Sequence, residues 1–134
     1  MLRTYLVIAS FSMAVAVILG ALGAHALADV LSATQLESFK TGVKYHIYHS
    51  LAIFIIILIP DSYLSIKNKS LIALLFSLGI FFFSFSIYLL SMRSVLGIEG
   101  LASYLGPVTP MGGLVLIVAW VILAFSILKK KNIK

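Results

Sequence analysis

The chain of 134 residues has no cysteine, which excludes disulfides, thiolate metal sites and thiol nucleophiles. Charge is scarce too: 10% of residues are Asp, Glu, Lys or Arg, against about 25% in an ordinary soluble domain. Acidic groups are the scarcest. Asp29, Glu37, Asp61 and Glu99 are the whole set, each in a connecting segment or at a helix start, so no carboxylate pair is placed for general acid–base work. The serines and histidines therefore lack an acidic orienter for a nucleophilic triad. There is no alternating strand pattern, hence no strand to lead into a Gly-rich phosphate loop. The net charge is +6, yet the basic residues sit singly or in short flanks rather than in a patch that would track nucleic acid. Catalysis has little support in these residues, the balance leaning against an enzyme without deciding it, and no nucleic-acid partner is expected.

Apolar residues fill the chain instead, at 62% of the total. They gather in four runs long enough to cross a hydrocarbon core, which takes about 20 residues per helix. Spans are expected at about residues 5–28, 42–59, 71–92 and 110–128, within a single four-helix membrane domain covering 1–134. The first run ends in Ala24-His25-Ala26, which resembles a signal-peptide cleavage site. The run exceeds the roughly 7–15 apolar residues of a signal peptide, so it is read as a retained span. Ser32 with Gln35, and Thr34 with Glu37, form overlapping capping-box pairs, so a polar helical lead-in to the second span starts near residues 33–35. Thr109 before Pro110 has the form of an N-cap followed by proline at the first helical position. Gly97, Gly100, Gly106 and Pro107 mark the preceding segment, 93–109, as irregular. With four crossings, the termini and the middle loop share a side. That side holds Arg3, Lys67, Lys69, Lys129, Lys130, Lys131 and Lys134, and the other holds Lys40, Lys44 and Arg93. The positive-inside rule then places both termini in the cytoplasm, in an inner- or plasma-type membrane crossed several times. The expected fold is an all-α, antiparallel four-transmembrane-helix bundle.

Small residues supply the packing signals. Ser12, Ala16, Gly20 and Ala24 recur every four positions in the first span, with Ala28 beyond them. Helix association in lipid relies on close backbone approach across such residues, so this row predicts a helix–helix seam. Gly112 and Gly113 offer a second close-approach surface. Ser77, Phe81, Ser84, Tyr88 and Ser91 form one stripe of the third span, polar enough to face protein. Trp120 falls near mid-span and is expected between helices rather than in an interfacial belt.

The distinctive residues gather on the side away from the termini. These are Gly20-Ala21-Leu22-Gly23-Ala24-His25-Ala26-Leu27, then Thr41-Gly42-Val43-Lys44-Tyr45-His46-Ile47-Tyr48-His49 running into Ser50-Leu51-Ala52, then Ser86-Ile87-Tyr88, and Thr109-Pro110-Met111-Gly112-Gly113 through to Trp120. Together they resemble the signature of a family of small membrane proteins that forms a domain of unknown function and includes the transmembrane protein 256 type. The resemblance spans nearly the whole chain. It implies a multi-span membrane protein and brings no established activity; at position 46 the family pattern more often carries Gln.

His25, Tyr45, His46, His49, Tyr88, Arg93 and Thr109 are therefore the candidate pocket or network at the outer ends of the helices. One reading is a metal held by His25, His46 and His49, or a haem between His25 and His49. No Asp, Glu or Cys joins these histidines, and no cofactor is predicted. Another reading is a lipid headgroup, quinone or small polar ligand bonded by Tyr45, Tyr88, His49 and Thr109. The plainest is a set of cross-helix hydrogen bonds that fix the bundle end. The leading expectation is a non-enzymatic scaffold, accessory subunit or membrane-level binding module. Membrane lipid is the expected partner, with other membrane proteins or a homo-oligomer left open.

Overall fold

A computed structural model describes residues 2–130 and is helical throughout its long elements. Lys131 and Lys134, counted above for orientation, lie outside the described residues. Among the described residues, four helical stretches are long and apolar enough to cross a membrane: Leu2–Ala24, Ala33–Leu58, Ile66–Ser91 and Glu99–Lys129. Contacts between successive stretches run in opposite chain directions, giving an antiparallel up-down bundle.

Helix α1 (Leu2–Ala24) ends four residues before the expected boundary. The chain then bends through 25–32, with the Leu27 and Leu31 amides donating to the Leu22 and Leu27 carbonyls. The bend tucks Leu31 into a core with Phe39, Val43 and Tyr88, and packs Leu27 against it. Burial of those leucines is the physical reason the helix stops early. The seam of α1 is also shifted. Ala9 and Ala16 are fully buried, Gly20 meets Val43, and Gly23 rather than Ala24 lies against Phe39; Ala24 is exposed. A strict four-residue step advances about 40° beyond each turn, so it leaves the face within three steps. The spacing 9, 12, 16, 20, 23 stays on it.

Helix α2 (Ala33–Leu58) opens with the expected box: Ser32 Oγ accepts from the Gln35 amide, and the Gln35 side chain accepts from the Ser32 amide. The polar lead-in and the apolar span are one continuous helix of 26 residues, about 39 Å long. Ser65 caps α3 (Ile66–Ile80) by accepting from the Asn68 amide at 3.3 Å. The third span therefore begins five residues earlier than expected. Lys69, placed by sequence in a loop, is instead in the first turn of α3 and buried. Its ammonium meets Asp61 Oδ1 at 2.6 Å and the Ile57 carbonyl at 3.3 Å, tying α3 to the end of α2. Asp61→Asn strands that cation. The expected result is a loss of about 2 kcal/mol in detergent denaturation followed by circular dichroism, largely recovered by adding Lys69→Met. An unchanged midpoint for Asp61→Asn would remove the pair from the list of stabilising contacts.

A π-helical turn, Phe81–Phe85, interrupts the third span before α4 (Ser86–Ser91). This wider turn rotates the register. Ser84, Tyr88 and Ser91 are buried, while Phe81, expected on the same stripe, is 59% exposed. A short helix α5 (Arg93–Leu96) follows, closed by Gly97 at φ 66°, the left-handed conformation of a helix C-cap. After a 3-10 turn at Glu99–Leu101, helix α6 (Ala102–Lys130) carries both Pro107 and Pro110 in its interior. The expected start at Pro110, capped by Thr109, is thus corrected by eight residues. Proline removes one donor per site, a loss that membrane helices tolerate when other groups compensate. α2 and the third span form the centre, with α1 packed mainly on α2 and α6 mainly on the third span. Phe11, Leu58 and Phe125 turn outward, an arrangement suited to lipid.

Candidate functional site

His46 is 1% exposed at the centre of the bundle. Its Nε2 lies 2.9 Å from Ser12 Oγ on α1, and its Nδ1 lies 3.1 Å from Tyr88 Oη on α4. Ser12 Oγ reaches on to Ser50 Oγ at 2.7 Å. One chain of hydrogen bonds, Tyr88–His46–Ser12–Ser50, therefore joins three spans. Gly42 makes room for it: a Cβ there would stand 2.8 Å from Tyr88 Cε1. The small seam residue Ser12 is thus also a polar partner, a role hidden in the row of small residues. Ser50, four positions after His46 and on its face, was the readable signal for the last link.

His49 makes a separate set of contacts. Its Nδ1 is 2.8 Å from the Tyr45 carbonyl, and Trp120 Nε1 donates to its Nε2 at 3.2 Å. A carbonyl only accepts and an indole N–H only donates. Both contacts therefore require a neutral imidazole with its proton on Nδ1. Phe76 braces both rings, with centroids 5.4 Å from His49 and 5.0 Å from Trp120. Trp120 is not enclosed between helices as expected; it is 47% exposed. Beside it runs a lateral groove of about 540 Å³ between α2 and α6, walled by Tyr45, Tyr48, Phe83 and Trp120, with Gly113 and His49 in the lining.

These groups lie at mid-height, not at one end. His46 is 13 residues into α2, and Ser12, its partner, is near the middle of α1. His25 follows Ser12 by 13 residues, about 20 Å along the axis, and sits exposed in the turn after α1. The three histidines do not converge, and among the described residues no group of three or more His, Asp or Glu side chains does. The expectation of a common depth rested on a second span starting at about residue 42, whereas α2 begins at Ala33 and so carries His46 to its middle.

Arg93 and Thr109 do remain near the end away from the termini. Arg93 Nη1 donates to the Leu90 carbonyl at 2.7 Å. Ser86 Oγ donates to the Phe83 carbonyl at 2.9 Å and pairs with Thr109 Oγ1 at 2.7 Å. Since the serine proton is committed to Phe83, Thr109 is the donor to Ser86. This relay tethers α6 to the π-helical turn. Gly112 reinforces the contact by letting α6 lie against the backbone of Phe82 and Phe83.

Residues 19–113 match the family model described as a protein of unknown function (DUF423). Over 128 residues the chain is 31% identical to the UPF0382 membrane protein YwdK of Bacillus subtilis, covering 96% of this chain and 98% of that one. It is 29% identical over 133 residues to a UPF0382 membrane protein of Haemophilus influenzae, covering 99% and 100%. It is also 29% identical over 130 residues to the UPF0382 inner membrane protein YgdD of Escherichia coli, covering 97% and 93%. No solved structure matches the chain.

Proposed function

Because the chain belongs to the DUF423 family, and resembles proteins named as membrane proteins over nearly their full length, we propose that it is a non-enzymatic binding module. Its lateral groove would take a flat, ring-bearing lipid of the quinone class. The excess of Lys and Arg at the termini and middle loop supports an inner- or plasma-type membrane with both termini cytoplasmic.

The observation that carries this reading is the aromatic groove. The central polar atoms of Ser12, His46, Ser50 and His49 are engaged with one another or with neighbours, which supports a structural role for them. Tyr45, Tyr48 and Trp120, by contrast, keep 40%, 60% and 47% of their surface exposed along an opening of ligand size. Aromatic faces favour offset stacking on another planar ring, and tyrosine hydroxyls can donate to ring carbonyls.

Trp120 is the only tryptophan, so its fluorescence reports on the groove without labelling. Titrating a short-chain quinone into the detergent-solubilised protein should quench it saturably, and Tyr48→Ala should weaken binding about fivefold. Linear quenching equal to that of a tryptophan ester in the same micelles, or an unchanged curve for Tyr48→Ala, counts against the reading. Mass spectrometry of the organic extract then identifies any lipid carried through purification.

A further inference from the structure

A second groove, of about 400 Å³, lies between the start of α2, the end of the third span and the first turns of α6. It shares no lining residue with the aromatic groove. We propose that it is a binding site for a phosphate group, carried either by a membrane phospholipid or by free phosphate.

Three observations lead there. Among the described residues, Arg93 is the one charged residue in its lining, and no carboxylate lines it. The hydrogen bond from Nη1 to the Leu90 carbonyl orients the guanidinium and leaves four of its five N–H donors for an anion. Ser91 is the second point. It lines the groove at 2% exposure, and its hydroxyl oxygen has no hydrogen-bond partner. A buried hydroxyl without a partner is costly, and a phosphate oxygen beside Arg93 would relieve it.

The third observation concerns which groups are already engaged. Gln35 bonds Ser94 and Ser32, Ser38 bonds the Thr34 carbonyl, and Thr109 bonds Ser86. What remains is a guanidinium with four unengaged N–H donors and, beside it, the Ser91 hydroxyl, which can donate as well; that pairing suits a negatively charged ligand rich in acceptor oxygens. Phosphate matches the guanidinium fork with two parallel bonds. Ile87 and Leu90 add apolar wall, where the glycerol and first acyl carbons of a phospholipid would lie. A soluble phosphate would leave that wall unused.

The test uses the full chain in maltoside micelles, which contain no phosphate. Phosphatidylglycerol is compared with a monoglucosyl diacylglycerol of the same acyl chains, and retention is read by native mass spectrometry. Wild type should retain the phospholipid about tenfold better than the glycolipid, one charge-assisted bond's worth. Arg93→Gln should abolish the preference, Ser91→Ala should reduce it severalfold, and Arg93→Lys should keep part of it. Trp120 emission checks that each variant is folded; if Arg93→Gln is not, Ser91→Ala carries the same comparison. Adding inorganic phosphate separates the sources: displacement of the phospholipid means the site reads the phosphate alone, and no displacement means it requires the lipid. Equal retention of the two lipids by wild type, or an undiminished preference in both Arg93→Gln and Ser91→Ala, overturns the proposal.

Discussion

Replacing Gly112 by alanine is expected to destabilise the bundle by about 3 kcal/mol or more, while the same change at the adjacent Gly113 is expected to be neutral or stabilising. The opposite outcomes follow from what each new methyl would meet. At Gly112 a Cβ would lie 2.7 Å from the Phe82 carbonyl carbon and 2.8 Å from Phe83 Cα, with the Phe83 amide nitrogen nearer still. Those are backbone atoms of the π-helical turn. They cannot rotate aside, so α6 must move away and the Thr109–Ser86 contact must stretch with it. Overpacking of this kind costs about 1–3 kcal/mol even where side chains can adapt.

At Gly113 the nearest atoms are Phe83 ring carbons at 3.5 Å, an ordinary contact. Alanine there gains up to about 1 kcal/mol of helix propensity instead. Gly79 should fall between the two: its Cβ would overlap Leu116, chiefly at flexible side-chain carbons. Denaturant midpoints for the three alanine variants, followed by circular dichroism in detergent, check the order. If Gly112→Ala is as stable as Gly113→Ala, α6 does not rest on the third span at this level.

Four charge-poor runs made four crossings legible, because hydrocarbon tolerates little else over such lengths. The start of α2 was legible because Ser32 and Gln35 are local chemistry, complete within one turn. Gly112 and Gly113 announced a close approach without saying which of them makes it, since that depends on the rotation of α6 against its neighbour. Pro110 misled for a related reason. Proline serves equally at a helix start or inside a membrane helix, and which applies is decided by the segment before it. The π-helical turn left no mark in the row of phenylalanines, and it moved Phe81 off the inner stripe. Depth was the largest displacement. Lys40 and Lys44 flank the expected start of the second span at residue 42, and both are exposed on α2 well past its cap at Ser32, where long side chains can reach toward the interface. The candidate residues consequently fall into three places: His46 with Tyr88 in the buried chain, Tyr45 with His49 along the aromatic groove, and Arg93 with Thr109 at the end groove. His25 stands apart from all three.

His46→Ala should cost about 3 kcal/mol, whereas His46→Gln should remain within about 1 kcal/mol of the parent. The alanine variant removes a ring from a site 1% exposed and leaves a cavity, a loss of several kcal/mol where surroundings cannot collapse. It also leaves the hydroxyls of Tyr88 and Ser12 facing that void. Cross-helix hydrogen bonds in membranes average only about 0.6 kcal/mol each, so the two bonds together are the smaller part and filled volume the larger. Glutamine keeps most of the volume and presents one donor and one acceptor to the two hydroxyls, in line with the Gln that the family resemblance suggests at this position. Tyr88→Phe, which removes one hydroxyl and keeps the ring against Phe39, should lose about 1 kcal/mol. Unfolding of the three variants in one detergent tests the ranking. Equal losses for alanine and glutamine would show that neither filled volume nor hydrogen-bond number governs the site.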